Sequence, residues 1–181
     1  MCGFSILSTM RAQLLLIPPA IIAFAVPAQA KVYMSIEQAQ QTMYPGAKLA
    51  EHFITLNQDQ YNAIIDDSGV DVYTRNIKAW KTSTGDWFVV DQVRGIDDWI
   101  TYAIAIDGAG FVQQIEVLEC LDKYDGITQP GWRGEFYGKK RGNGFTDIDI
   151  LSGATFSSHQ MIAGVQRVLS TIALALQPSA K

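Results

Sequence analysis

Apolar and polar residues alternate along four stretches in the middle of the chain. These stretches are rich in aromatic and β-branched residues and cover residues 77–84, 87–94, 100–107 and 111–121. A period of two residues with this composition predicts β-strands. The connections at 84–86 and 107–110 are short and contain glycine, which predicts hairpin loops. The four strands are therefore expected to form an antiparallel meander.

Helical spacing dominates the end of the chain. Apolar residues recur every three or four positions from about Phe156 onward, which predicts an amphipathic closing helix. Two shorter helices are predicted at 36–41, with Ser35 as N-cap, and at 58–67. Residues 122–149 carry many glycines and aromatics without a clear period and predict a structured loop over the sheet. The fold class expected is α+β, a twisted antiparallel sheet packed against helices.

Residues 1–30 differ in composition from the rest of the chain. They hold no acidic residue, one basic residue at Arg11, and an apolar run of about 13 residues interrupted by Pro18 and Pro19. A membrane-spanning helix needs roughly 20 apolar residues, so the pattern is typical of a cleaved signal peptide. We expect cleavage after Ala30, a periplasmic product without a transmembrane helix, and a single domain over residues 31–181.

Charge and cysteine content narrow the function further. The chain has 14 basic and 18 acidic residues and a net charge of −4, which argues against nucleic acid as a partner. Loss of Cys2 with the signal peptide would leave Cys120 without an internal disulfide partner. His52 has no second ligand at metal-binding spacing, so no metal site is predicted.

The segment from Asp149 to Ser158 carries the candidate chemistry. Its order, Asp-Ile-Leu-Ser-Gly-Ala-Thr-Phe-Ser-Ser, places small residues and hydroxyls at the start of the closing helix. Free amide groups and the helix dipole favour an anion such as a phosphate at this position. Gly153 and Ala154 would allow a ligand close to the backbone. Helix chemistry alone equally allows Ser152 or Thr155 to act only as an N-cap.

At these residues the sequence resembles the FMN-binding domain family, which includes periplasmic subunits of sodium-pumping quinone reductases and small stand-alone proteins. The family's flavinylation motif is Asp, two variable residues, Ser or Thr, then Gly-Ala-Thr. Asp149, Ser152, Gly153, Ala154 and Thr155 fill every defined position. The aromatic segment at 130–139 and the hairpin at 99–121 are also similar, so the likeness spans about residues 95–176. The Glu-Thr-Pro-Gly stretch of the respiratory subunits is absent, and residues 118–121 stand near its place.

The resemblance implies a covalently bound cofactor. In the family a separate flavin transferase takes FAD as donor and attaches FMN through its phosphate to the threonine hydroxyl, here Thr155. The other motif residues would serve recognition and backbone fit, and Ser157 and Ser158 would contact the phosphate. His159 lies one helical turn after Thr155, within reach of the phosphate or the ring. Aromatic cover for the flavin ring is expected from Trp132, Phe136, Tyr137 and Phe156.

Three functions remain open at this level. The first is electron transfer between a membrane or periplasmic donor and an acceptor protein, with FMN on Thr155. The second is a small flavin reductase with its own substrate pocket at residues 122–148, and the third is a non-flavin binding module. A serine hydrolase is excluded because Ser157 and Ser158 lack a nucleophile elbow, and no Gly-x-Gly-x-x-Gly follows a strand, as a dinucleotide site requires.

Overall fold

The computed structural model describes residues 31–96, 98–120 and 125–177. Seven strands and four α-helices follow one another along these ranges. The strands are β1 (Lys31–Val32), β2 (Leu49–Glu51), β3 (Ile54–Thr55), β4 (Asn76–Thr82), β5 (Trp87–Arg94), β6 (Trp99–Ile106) and β7 (Val112–Cys120). The α-helices are α1 (Ile36–Met43), α2 (Gln58–Ser68), α3 (Pro130–Gly134) and α4 (Thr155–Thr171), and α4 continues as a π-helical turn over Ile172–Leu176.

The strands form an antiparallel sheet in the order β1-β7-β6-β5-β4-β2, with β3 paired to β4 off this path. Strands β4 to β7 are joined by local hairpins, as the alternating pattern predicted. Two register shifts interrupt the β6–β7 pairing, one between Thr101 and Tyr102 and one between Ala105 and Ile106. Bulges of this kind increase the local twist of a sheet.

Each face of the sheet packs against helices because successive strand side chains point to opposite sides. Trp87, Val89 and Ile104 belong to the large core cluster, which also holds the buried residues of α4. Phe88 and Ala103, their neighbours along the strands, face the other way and belong to a smaller cluster with Ala39 of α1. Helix α4 thus covers one face of the central strands and α1 the other.

The first two α-helices begin with complete capping boxes. The hydroxyl of Ser35 accepts a hydrogen bond from the amide of Gln38, whose side chain accepts one from the Ser35 amide. Asn57 and Gln60 make the same reciprocal pair at the start of α2. These caps satisfy amide groups that an isolated helix start leaves open. Ser35 was predicted as N-cap, and the structure confirms it.

The predicted fold class is confirmed, with differences at the ends of elements. Helix α4 starts one residue earlier than expected, and the four long strands agree with their predicted ranges within two residues. The region predicted as a structured loop contains a 3₁₀ turn at Asp125–Thr128 and the short helix α3. The predicted signal peptide, residues 1–30, lies outside the described residues. Within the described ranges, no helix is both long and apolar enough to cross a membrane.

Candidate functional site

Residues 149–155, here called the motif loop, lead from the irregular segment into the first residue of α4. Trp132 and Glu135 hold the first peptide units of this loop. The indole Nε1 of Trp132 donates to the carbonyl oxygen of Asp149 at 2.8 Å, and the amide of Asp149 donates to Oε2 of Glu135 at 2.7 Å. The short helix α3 therefore fixes the point at which the motif loop begins.

A tight turn follows at Ser152 and Gly153. The amide of Ala154 donates to the carbonyl of Leu151 at 3.1 Å, which closes the turn. Gly153 has φ +84°, a left-handed backbone conformation that other residues adopt only with strain. The positive φ at position 153 thus explains why the motif has glycine there.

Ala154 is the N-cap of α4 and is 2 % exposed. Its methyl group packs towards Gly126 of the 3₁₀ turn: a Cβ built on Gly126 would lie 3.8 Å from the Ala154 Cβ and 3.2 Å from Cδ1 of Leu151. This packing leaves little room for a larger residue at position 154. Steric fit therefore explains why the motif has alanine at position 154.

Thr155 is exposed at the first position of α4. Its hydroxyl makes a long hydrogen bond of 3.3 Å to the carbonyl of Leu151. Unlike α1 and α2, α4 has no side-chain cap hydrogen bond. Neither Ser152 nor Thr155 is the N-cap, so the interpretation of Thr155 as a capping residue is not supported by the geometry.

The two serines that follow lie on the inner side of α4. Ser157 is 1 % exposed, Ser158 is fully buried, and the Ser158 hydroxyl donates to the carbonyl of Thr155 at 2.9 Å. Both point away from the exposed side that carries Thr155. Their predicted contact with a phosphate stays a prediction. Asp149, which precedes Thr155 in the sequence, and His159, which follows it, are both exposed.

The predicted aromatic contacts divide into two groups. Trp132 is 4 % exposed and Phe136 is fully buried, and their rings meet edge to face at 5.2 Å within the large core. Phe156 and Tyr137 are 43 % and 67 % exposed. Only the second pair presents ring surface to a ligand, and Phe156 is the one that adjoins Thr155.

Two exposed aromatics that the sequence analysis did not select lie beside α4. The Tyr73 hydroxyl donates to Oε1 of Gln160 at 3.3 Å, and its ring meets the Trp99 ring edge to face at 5.3 Å. Nothing in the local sequence shows that Tyr73 reaches α4, because 87 positions separate Tyr73 from Gln160. Trp99 was assigned only to the family-like hairpin.

One tight ion pair lies just before the motif loop in the sequence. Lys139 Nζ donates to both carboxylate oxygens of Asp147. These hydrogen bonds lower the pKa of Asp147, because they stabilise the charged form of its carboxylate. Among the described residues, no group of three or more His, Cys, Asp and Glu side chains is arranged to hold a metal ion.

The residues present fit a phosphate ester at this site. An exposed hydroxyl stands at the start of α4, which has no side-chain cap and where the positive end of the helix dipole favours an anion. Comparison with known proteins gives an independent result: the family model of the FMN-binding domain matches residues 95–170. No curated protein matches the chain.

Proposed function

Residues 95–170 of this chain form an FMN-binding domain, and from this premise we propose that FMN is bonded through its phosphate to Thr155 and serves electron transfer in the periplasm. The observation that carries the proposal is the exposed hydroxyl of Thr155 at an α4 start without a side-chain cap. It is the one hydroxyl of the motif that combines exposure with the helix-start position.

The proposed attachment is a transfer from FAD. The Thr155 oxygen bonds to the phosphorus of the FMN half, the bond between the two phosphates breaks, and AMP leaves with the bridging oxygen. The hydroxyl proton passes to a base of the flavin transferase, the separate enzyme that the proposal requires. The motif loop supplies an accessible oxygen and a positive helix end that favours the phosphoester anion.

Bound flavin would supply one- and two-electron chemistry. The residues around Thr155 determine which partner proteins or substrates can reach it. Thr155 lies on an open surface. The two clefts of about 520 and 350 Å³ that involve residues 140–145 lie against residues 166–177. That is roughly 16 Å or more of helical rise from Thr155. A smaller cleft of about 180 Å³ is lined by residues 113–116 and 130–137, and none of these three clefts is lined by residues 149–160. A cofactor on Thr155 is thus placed for another protein to approach, which favours a carrier over a reductase with its substrate pocket at residues 122–148.

Export forms the last part of the proposal. Lys31 and Val32 pair with Cys120 and Glu119 at the edge of the sheet. The domain therefore uses the chain from the predicted cleavage point after Ala30 onward, and nothing before it is needed for this pairing. A covalent bond would keep the cofactor on the protein in a compartment where lost FMN is not replaced. N-terminal sequencing of the exported protein should begin at Lys31.

The attachment is tested by intact mass and in-gel flavin fluorescence after co-expression with a flavin transferase. Wild type should gain the mass of FMN less one water and stay fluorescent after denaturation. Thr155→Ala should do neither, and Thr155→Ser should keep partial loading because it keeps the hydroxyl. Thr146→Ala is the matched control, since it removes another exposed threonine. If wild type stays colourless where a known family member is loaded, the proposal is wrong.

A further inference from the structure

Four large apolar side chains are exposed together beside the first turns of α4. Tyr73, Ile96, Trp99 and Phe156 are 45, 52, 37 and 43 % exposed, and we call them the aromatic surface. Tyr73 contacts both Trp99 and Gln160. Phe156 lies four residues before Gln160, on the same helix face. Ile96 belongs to the turn that leads into Trp99. Tyr73 and Trp99 are thus in contact, and Phe156 lies one helical turn from the Gln160 side chain that Tyr73 reaches.

The rings of this surface are held in place without being buried. The guanidinium of Arg167 lies 5.0 Å from the Tyr73 ring centroid, and that of Arg94 lies 5.6 Å from the Trp99 centroid. Arg167 is itself fixed by the carboxylate of Asp91 at 2.6 Å. Cation–π contacts and the Tyr73 hydroxyl bond therefore orient the two rings. Their exposure leaves ring surface available for a planar partner.

The aromatic surface lies within reach of the attachment point. Gln160, which Tyr73 contacts, is roughly 7.5 Å of helical rise from Thr155. Eight bonds join the Thr155 oxygen to the ring nitrogen of an attached FMN, and a chain of that length spans about 10 Å at the rise per bond of an extended backbone. The nearest part of the surface, Phe156, is the next residue in the chain.

We propose that the isoalloxazine ring of FMN on Thr155 rests on the aromatic surface, against Trp99, Tyr73 and Phe156. The inference builds on the proposed function. It replaces the sequence-based contacts Trp132 and Phe136, which have no exposed ring face to offer because both lie in the core. The ring would keep one face on the protein and leave an edge open to a partner protein.

The test compares flavin fluorescence of loaded protein before and after unfolding. A flavin stacked on indole or phenol is quenched, so wild type should become brighter when unfolded. Removing one aromatic partner should lower the ratio of docked to free ring about two- to tenfold, the equivalent of one lost aromatic contact. Trp99→Leu should therefore be brighter than wild type when folded, and Trp99→Tyr should restore quenching.

Phe53→Leu is the matched control, since Phe53 is 51 % exposed and packs on Trp80, which belongs to the smaller cluster with Ala39 of α1. Equal folded-to-unfolded ratios in wild type, Trp99→Leu and Phe53→Leu, with flavin still on Thr155, would overturn the ring position and leave the proposed function intact. Absence of flavin from wild type after denaturation would overturn both. Circular dichroism confirms that the variants are folded.

Discussion

Trp132 binds Asp149 through its indole nitrogen, which donates to the Asp149 carbonyl at 2.8 Å. The Asp149 amide is held from the other side by Glu135. Both groups come from the segment around α3, so this segment and the motif loop form one unit. The aromatic segment that precedes the motif in the sequence therefore holds the motif loop in place through these two hydrogen bonds.

Trp132→Phe should therefore impair flavin loading although residue 132 is far from Thr155 in sequence. The change leaves the Asp149 carbonyl without its donor, which should lower the free energy of unfolding by about 1–3 kcal/mol. The loosened motif loop should also slow loading by the transferase. Urea unfolding gives the first effect, and a time course of in-gel fluorescence gives the second.

Trp87→Phe is the control for this prediction. Trp87 is buried like Trp132, and its Nε1 donates to Oε1 of Gln177 at 3.3 Å, at the far end of the last helix. A comparable loss of stability with unchanged loading is expected there. If both variants load at the same reduced rate, the effect comes from general destabilisation and the specific role of Trp132 is refuted.

Gly164→Ala should be strongly destabilising because α4 touches the sheet at this residue. An added Cβ would lie 2.5 Å from Cγ1 of Val93 and 2.7 Å from the hydroxyl oxygen of Tyr102. Overpacking of this kind costs about 1–3 kcal/mol. Thermal unfolding should show the loss. Gly134→Ala, where nothing lies within 4 Å of the added carbon, should be neutral; equal losses in both would contradict the close approach of α4.

The sequence predicts the parts of this fold that have a local pattern. The four long strands alternate, and α4 repeats every three or four residues, so both can be read from neighbouring positions. Strands β1, β2 and β3 have two or three residues each and exist because they pair with β7 or β4. No local periodicity of apolar residues predicts these three short strands.

The candidate site shows the same division. Thr155 can be identified from the motif, because the order of the motif residues is visible in the sequence without knowledge of the fold. The burial of Trp132 and Phe136 does not follow, because a glycine-rich segment gives no period that separates inner from outer aromatics. The approach of Tyr73 to α4 depends on long-range packing of the turn after α2. Such contacts between distant segments require the structure.

Arg167→Met should cost about 3 kcal/mol, because it leaves the mostly buried carboxylate of Asp91 without its cation. Arg167 is 4 % exposed and donates to Asp91 and to the carbonyl oxygens of Asp71 and Gln92. The Tyr102 hydroxyl also donates to Asp91 at 2.9 Å. Burial raises the pKa of Tyr102 well above its usual value, so this donor stays protonated.

A double-mutant cycle with Asp91→Asn measures this coupling by urea unfolding. The asparagine removes the charge and keeps an oxygen that can accept from Tyr102. The double variant should be less destabilised than the sum of the two single variants, since the unpaired buried charge is then absent. Strict additivity of the two losses would show that the pair does not act as a unit.

The stability that Asp67 contributes through its contact with Arg141 should be lost in acid. Arg141 donates two hydrogen bonds to its carboxylate, at 2.8 and 2.6 Å, and this contact lowers the Asp67 pKa; Ser170 donates a further bond at 2.6 Å. A lowered folded-state pKa adds stability above the unfolded value of about 3.9, and that stability is lost as the pH falls through the folded pKa. The pair is partly exposed, so about 0.2–1 kcal/mol is expected.

Asp67→Asn should accordingly be less stable than wild type by this amount at pH 6, and the difference should shrink as the pH falls below about 4. Urea unfolding at a series of pH values measures it. Asp66→Asn removes the same charge from the exposed side of α2 and keeps the Arg141 contact, so it controls for net charge. A difference between wild type and Asp67→Asn that stays constant from pH 6 to pH 3 would show that the Arg141 contact does not shift the titration of Asp67.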